Sequence, residues 1–81
     1  MKKLNLKPKF NQGKKTAPTL SEREKEVLEL IAVGLSSEEI SLKLQININT
    51  VFFHRKNIMR ELGALNAPNM IKLAFDHKIL K

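Results

Sequence analysis

Apolar side chains recur at helical spacing between residues 36 and 63. The apolar positions in this stretch are Ile40, Leu44, Ile46, Val51, Ile58 and Leu62. The separations of four and seven residues among them are those of an amphipathic α-helix. The pattern predicts a short helix, a tight turn and a longer helix, which cross each other and pack on a third helix.

The longer of these helices has a second face with a different composition. At helical spacing this face contains Asn49, Phe52, Phe53, Lys56 and Arg60. These residues combine an amide, two cations that attract phosphates, and two aromatic rings that have no evident core to fill. A helix that presents such side chains to solvent suits the major groove of DNA, which is wide enough to admit it.

Polar residues indicate where the first two helices begin and end. Ser21 followed by Glu24, and Ser36 followed by Glu39, each match a capping box, in which each side chain binds the other residue's backbone amide. Gly34 can adopt the left-handed conformation that ends a helix. We therefore predict a first helix from residue 21 to Gly34 and a second from residue 36 to about residue 44. The apolar stripe of the first helix is Val27, Leu28 and Ile31.

The predicted turn consists of Gln45, Ile46 and Asn47, and Asn47 should cap the longer helix, which spans about residues 48–62. The first amides of that helix, with the side chains of Asn49 and Thr50, can bind a phosphate oxygen. Capping alone explains Asn47 equally well. We expect DNA phosphate contacts from Ser36, Ser37, Asn47, Thr50, Arg55 and Arg60.

Length and composition predict one small domain preceded by a tail. A chain of 81 residues without cysteine has neither disulfides nor a cysteine-based zinc site, so apolar helix packing must stabilise it. Residues 1–18 contain Pro8, Gly13 and Pro18 among six lysines and show no periodic pattern. We predict a flexible basic tail or linker over residues 1–18 and a folded helical domain over residues 19–81.

The net charge of +7 is distributed unevenly along the chain. Residues 1–18 contain no acid, residues 19–42 contain six glutamates and only two basic residues, and residues 43–81 contain seven basic residues and two acids. Such polarity indicates a polyanion approached from one side. The tail is either an arm that contacts DNA phosphates, with Lys14 and Lys15, or a solvated linker remnant that adds affinity through its charge alone.

Catalytic side chains are too sparse to predict an enzyme. The histidines are His54 and His77, cysteine is absent, and the acids lie mostly in the first two predicted helices. No nucleophile, base and orienting group can be assembled from these residues. We expect no catalytic residue, no metal site, no cofactor and no small-molecule ligand in this chain. We interpret His54 as a partly buried packing residue with one hydrogen bond.

Many spaced positions together resemble a known family. They are residues 20–34 (LSEREKEVLELIAVG), followed by Glu39, Ile40, Leu44, Ile46, Thr50, Val51, His54, Ile58, Leu62 and Gly63. This pattern covers about residues 19–80 and is similar to the DNA-binding domain of LuxR/GerE-type, NarL-like transcription regulators of bacteria. Thr50 and His54 match the Thr-Val-Lys-x-His motif of that family.

The resemblance implies an all-α fold, a four-helix domain with a central helix-turn-helix whose third helix enters the major groove. It implies base-facing positions at Phe52, Phe53 and Lys56, to which the exposed-face pattern adds Asn49. It also implies a homodimer that pairs through the fourth helix on inverted-repeat sites. Members of this family occur as output domains of two-component response regulators or quorum-sensing receptors.

The chain departs from the family pattern at several positions. Phe52 stands where the family usually has lysine, and because a ring cannot donate a hydrogen bond to guanine, contact with thymine methyl groups is the nearest substitute. Alternatively, one or both phenylalanines fold back over the domain or meet a protein partner. Ala67 and Pro68 replace an arginine that often opens the fourth helix. Lys78 replaces a glycine, so the last turn is either strained or arranged differently.

The fourth helix should begin at the Ala67 and Pro68 pair, because proline fits a first helical turn. We predict that Ile71 and Ala74 face the core. Met70, Leu73 or Phe75 would then remain for contacts with neighbouring molecules.

Two hypotheses of function remain. The chain is a sequence-specific DNA-binding transcription regulator, or the output domain of a response regulator, which binds double-stranded DNA as a homodimer with RNA polymerase as a further partner. Alternatively, it is a small interaction module that docks through Phe52, Phe53 and the fourth helix, with weak or no specific DNA binding. No stretch approaches the roughly 20 apolar residues of a membrane span, and we expect a cytoplasmic bacterial protein that is nucleoid-associated when bound.

Overall fold

Four helices form the domain, as the sequence predicts. The computed structural model describes residues 18–81. Within them lie α1 (Glu22–Ala32), α2 (Ser37–Leu44), α3 (Ile48–Leu62) and α4 (Ala67–Asp76), with no strand. The all-α, four-helix prediction is confirmed, and α4 begins at the predicted residue. The predicted tail, apart from Pro18, lies outside the described residues, and so do the phosphate contacts predicted for Lys14 and Lys15.

Both predicted capping boxes are present. The Ser21 amide donates to Glu24 Oε1 at 3.0 Å, and the Glu24 amide donates to Ser21 Oγ at 3.1 Å. The same pair of hydrogen bonds joins Ser36 and Glu39, at 2.7 and 3.1 Å. Because these bonds satisfy amides that the helix itself cannot satisfy, they determine the first residues of α1 and α2.

All four helices end in the same way, with a residue at positive φ. These residues are Gly34 (φ 103°), Gln45 (59°), Gly63 (69°) and Lys78 (63°). In each case the next amide donates to the carbonyl five residues before it, at 2.8 to 3.0 Å, as in a Schellman motif. The last turn is therefore arranged in the usual left-handed form although Lys78, rather than glycine, occupies the position.

The core lies between α3 and the other three helices. Helix α3 packs against α1, α2 and α4, and α1 also packs against α2. The buried side chains are Leu20, Val27, Leu28, Ile40, Val51, Ile58, Leu62, Met70, Ala74 and Leu80, and no polar residue is buried in the described range. None of the four helices has both the length and the apolar character needed to cross a membrane. Since α3 is central to the packing, its orientation is determined by all the other helices.

The inward face of α4 differs from the prediction. Met70 and Ala74 are fully buried, whereas Ile71 and Leu73 are half-buried against the core and Phe75 is exposed. The assignment of Met70 to the surface is therefore wrong. Met70 and Ala74 lie one turn apart and form a single face, and the flexible methionine side chain fills the space against the core beside the small alanine.

Candidate nucleic-acid interface

One exposed face of α3 collects the predicted base-facing side chains. Asn49, Phe52, Phe53, Lys56 and Arg60 are all exposed. The phenylalanines have 52% and 61% of their surface accessible, so neither ring folds back into the core. The structure brings the amide, the two rings and the two cations together along the helix, and leaves their contact with DNA as a prediction.

The opposite face of α3 explains why these residues point outward. Val51 and Ile58 are fully buried and Leu62 is nearly so. Successive helical residues are rotated by about 100°, which places these three side chains on the side of the helix away from the exposed face. Burial of the apolar face thus fixes which side chains α3 presents to solvent.

The basic side chains of α3 differ in their pairing from Arg23, Lys25 and Lys72. Ion pairs within residues 18–81 join Arg23 to Glu26 at 3.1 Å, Lys25 to Glu22 at 3.7 Å, and Lys72 to Asp76 at 3.0 Å. In that range none involves Arg55, Lys56 or Arg60 of α3. The positive charge of α3 is therefore not neutralised by a nearby carboxylate of this part of the chain.

Arg60 is oriented by a neighbour that the sequence analysis missed. Its Nη2 donates to Asn57 Oδ1 at 2.7 Å. Residues three apart on a helix lie side by side, so the spacing of Asn57 and Arg60 was the available signal. This hydrogen bond restricts the orientation of the guanidinium group and leaves its other N–H groups available to donate.

The start of α3 is capped as predicted. Asn47 Oδ1 accepts from the Asn49 amide at 2.7 Å, and the Thr50 amide donates to the Asn47 carbonyl at 2.9 Å. These two amides are thus satisfied within the protein. A phosphate at this end would meet the exposed Asn49 side chain and the half-buried Thr50 hydroxyl, and the phosphate role of Asn47 and Thr50 stays a prediction.

The other predicted phosphate contacts have mixed surroundings. Ser36 is exposed, but its hydroxyl accepts the Glu39 amide. Ser37 is half-buried, and the Glu38 and Glu39 carboxylates that follow it would repel a phosphate. Arg55 is half-buried on α3 and pairs with no carboxylate in residues 18–81. Of these three positions, Arg55 has the most favourable charge for the predicted contact.

His54 was interpreted as a partly buried packing residue with one hydrogen bond. Its Nδ1 is buried and has no partner among residues 18–81. The ring lies 6.3 Å from the Phe53 ring, centroid to centroid, at an angle of 55°. Half-burial agrees with a packing role. The described residues contain no cluster of histidine and carboxylate groups that could hold a metal ion.

A long-range hydrogen bond joins the start of the domain to the end of α3. The Thr19 amide donates to Glu61 Oε2 at 3.1 Å, across 42 residues of sequence. No local pattern predicts this contact, because the two residues become neighbours only after α1 has packed on α3. It lies beside Arg60 and ties the entering chain to the last turn of α3.

Comparison with known proteins identifies the domain. The family model described as bacterial regulatory proteins, luxR family, matches residues 18–74. The transcriptional activator protein ExpR of Dickeya dadantii is 37% identical over 71 residues, which cover 88% of this chain and 28% of that protein. The oxygen regulatory protein NreC of Staphylococcus aureus is 40% identical over 62 residues, 76% of this chain and 29% of that protein.

Solved structures show the same arrangement of helices. The response regulator ChrA of a heme-sensing two-component system superposes with a TM-score of 0.75 at 33% identity, covering 82% of this chain and 33% of ChrA. The complex of Vibrio cholerae VqmA with ligand and DNA gives a TM-score of 0.72 at 28% identity, covering 86% of this chain and 31% of VqmA.

These relatives are much longer than the chain, which spans less than a third of the length of ExpR or NreC. The match nevertheless extends over all of α1, α2 and α3 and most of α4. The resemblance found in the sequence is thereby confirmed. The chain belongs to the luxR family of bacterial regulatory proteins, whose helix-turn-helix domain binds DNA.

Proposed function

We propose that the chain is a sequence-specific DNA-binding transcription regulator, or the output domain of a longer response regulator, with α3 in the major groove. The observation that supports this best is the exposed face of α3, which carries Asn49, two aromatic rings, Lys56 and Arg60. Neither cation forms an ion pair with a carboxylate of residues 18–81. A helix about 10–12 Å wide fits a groove about 12 Å wide. Membership in a DNA-binding family supports the same function.

Each side chain on this face has a matching group on DNA. Asn49 can bind the edge of adenine, and Lys56 can donate to guanine O6 and N7. Phe52 and Phe53 have no donor, so their complementary surface is the thymine methyl group. Arg55 and Arg60 bind phosphates, and the contacts predicted for Ser36, Ser37, Asn47 and Thr50 would complete the binding to the backbone.

We also propose that two copies bind an inverted repeat and pair through α4. Phe75 of α4 has 49% of its surface accessible, and the half-buried Leu73 lies on the same helix. An exposed aromatic side chain on a short helix favours a protein contact. RNA polymerase would be a further partner, and the protein would act in the bacterial cytoplasm, nucleoid-associated when bound.

The second candidate function is a protein-interaction module. Phe52 and Phe53 are neighbouring exposed rings, and aromatic side chains are enriched where proteins dock. In this alternative the rings and α4 bind another regulator, and specific DNA binding is weak or lost. The two candidates differ in what Phe52 contacts.

Selection from a pool of random duplexes tests the first candidate. The chain should enrich an inverted-repeat sequence and retain it against competitor DNA at moderate salt in a gel-shift assay. Selection of a single half-site would contradict only the proposed pairing through α4, and not the proposed DNA binding. No preference for any duplex would contradict the proposed function and favour the interaction module.

A double-mutant cycle then tests Phe52 directly. Thymine in the selected site is replaced by uracil, which removes the methyl group, and Phe52 is replaced by alanine. If the ring contacts that methyl group, Phe52→Ala alone and uracil alone should each weaken binding by about 1 kcal/mol. The two changes together should weaken binding little more than either one does. Phe53→Ala is tested in the same way, because Phe53 is also proposed to face a thymine, and the comparison shows which ring couples to which methyl group. Fully additive losses at every thymine would show that Phe52 does not contact a methyl group.

A further inference from the structure

Two aromatic rings flank the polar side chains on the exposed face of α3. At about 100° per residue, Asn49, Lys56 and Arg60 lie within about 40° of one another around the helix. On the same scale, Phe52 lies about 60° to one side of Asn49 and Phe53 about 40° to the other. The two rings have 52% and 61% of their surface accessible. Each ring therefore offers an apolar surface next to the polar side chains.

The charge of α3 indicates what covers these rings. Arg55, Lys56 and Arg60 form no ion pair with a carboxylate of residues 18–81. The acid of α3, Glu61, accepts a hydrogen bond from the Thr19 amide. Such a basic surface favours a polyanion over an apolar protein surface, because burial of unpaired cations against apolar groups is costly. We therefore expect the rings to meet groups that lie in a groove between phosphates.

A phenylalanine ring can read one kind of group in the major groove. The ring has no N–H or O–H group, so it cannot read the donors and acceptors on the edges of the bases. The apolar group that the standard base pairs present there is the methyl group on C5 of thymine. Methylation of cytosine at C5 places the same methyl group on the same ring atom. Thymine and 5-methylcytosine then differ at C4, which carries a carbonyl oxygen in one and an amino group in the other, and a phenylalanine ring forms no conventional hydrogen bond with either.

We propose that Phe52 and Phe53 recognise the C5 methyl group of pyrimidines in duplex DNA, so that 5-methylcytosine replaces thymine in the site and methylation of cytosine strengthens binding. This inference rests on the proposed function, because it requires α3 to lie in the major groove. It goes beyond contact with thymine, since it makes the affinity for one unchanged sequence depend on whether its cytosines are methylated.

The first experiment repeats the selection from random duplexes with a second pool, in which every cytosine is 5-methylcytosine. Positions that select thymine through Phe52 or Phe53 in the ordinary pool should accept thymine and cytosine about equally in the methylated pool. The same preference for thymine over cytosine in both pools, at every position, would overturn this inference and leave the proposed function standing. No enriched sequence in either pool would contradict the proposed function itself, and this inference with it.

The second experiment measures affinity for four versions of the selected site that differ at one pyrimidine. The base is thymine, uracil, 5-methylcytosine or cytosine, so the first two differ only by a methyl group, and so do the last two. At a position that a ring contacts, the methyl group should raise affinity about fourfold in both pairs, which is the gain expected from burying one methyl group. A gain from uracil to thymine without a gain from cytosine to 5-methylcytosine would overturn the inference.

Variants of α3 assign the methyl effect to the rings. Phe52→Ala and Phe53→Ala should each abolish the effect at one position of the site, in both pairs of bases. Lys56→Ala is the matched control on the same face, and it should weaken binding of all four duplexes while both methyl effects remain. Because these three side chains are exposed, the helical signal in circular dichroism should not change. Methyl effects that persist in both phenylalanine variants would overturn the assignment of methyl recognition to the rings.

Discussion

The outer surface of α1 and α2 and the outer surface of α3 carry opposite charge, although these helices pack on the same core. The segment that contains α1 and α2 has six glutamates and three basic residues, and two ion pairs link charges within α1. Helix α3 has three basic residues and one acid, Glu61, which binds a backbone amide. Both regions bury apolar side chains in the core, but their exposed side chains differ in charge.

This difference shows that burial and binding are encoded by separate positions. Ile40 of α2 and Ile58 of α3 are both fully buried, and either helix could present any polar set outside them. The acidic surface repels a polyanion and the basic one attracts it. The proposed DNA binding therefore needs only one helix with a basic exposed face, and α3 has such a face.

The largest expected effect comes from truncating a side chain in the core on which all of these helices pack. Ile58→Ala should lower the free energy of unfolding by about 2–5 kcal/mol, because it leaves a cavity among fully buried side chains. Urea denaturation followed by circular dichroism measures this. Leu42→Ala is the matched control, since Leu42 has 78% of its surface accessible, and it should change stability by no more than about 0.5 kcal/mol. Similar losses for both would contradict the assigned core.

The next largest effect is a difference in DNA affinity between loss of a lysine from α3 and loss of a lysine from α1. Lys56→Ala should weaken binding to the selected site by about 1–3 kcal/mol and relax the base preference at one position. Lys25→Ala removes the same charge from α1, where Lys25 lies 3.7 Å from Glu22, and should have a much smaller effect. Gel-shift titrations at one salt concentration measure both. If the two variants bind alike, α3 is not the DNA-facing helix.

A smaller effect distinguishes capping from phosphate binding at the start of α2. Ser36→Ala removes the acceptor of the Glu39 amide and should destabilise the domain by about 1 kcal/mol. Ser37→Ala should leave stability nearly unchanged, because Ser37 is the first helical residue and not the cap. Thermal unfolding measures the first role, and DNA affinity at a temperature where both variants are folded measures the second.

The smallest effect concerns the end of α4. Lys78 has φ 63°, a conformation that a side chain disfavours and glycine adopts easily. Lys78→Gly should raise the free energy of unfolding by about 0.5 kcal/mol, measured by urea denaturation. His77→Gly is the control, since His77 has φ −88°, and it should be neutral or destabilising. Stabilisation by both changes would contradict the role of the positive φ, because glycine raises the entropy of the unfolded chain and should destabilise at a residue with negative φ.

Local chemistry made most of the fold predictable. The pairs Ser21 with Glu24 and Ser36 with Glu39 determine helix starts through contacts only three residues apart. The apolar spacing of Val51, Ile58 and Leu62 fixed the inner face of α3, and through it the exposed face. Such features depend on the helix alone, so the sequence specifies them without knowledge of tertiary structure.

Features that depend on packing between helices were not predictable in this way. On α4 both Met70 and Ile71 are apolar, and only the contact with the core decides that Met70 is the buried one. The hydrogen bond of Thr19 to Glu61 spans 42 residues. His54 was expected to form a hydrogen bond, yet its buried Nδ1 has no partner in the described range, because that outcome depends on what neighbouring elements offer.

The opposed charges on the two outer surfaces have a consequence for the speed of encounter. A molecule whose first two helices are acidic and whose third helix is basic turns in the field of a polyanion before any atoms touch. Screening confines that field to about 8–10 Å at physiological salt, so the rotation occurs during the last nanometre of approach. If α3 is the DNA-facing helix, as we propose, collisions that begin with α1 foremost would be redirected, and a larger share of them would end with α3 against the duplex.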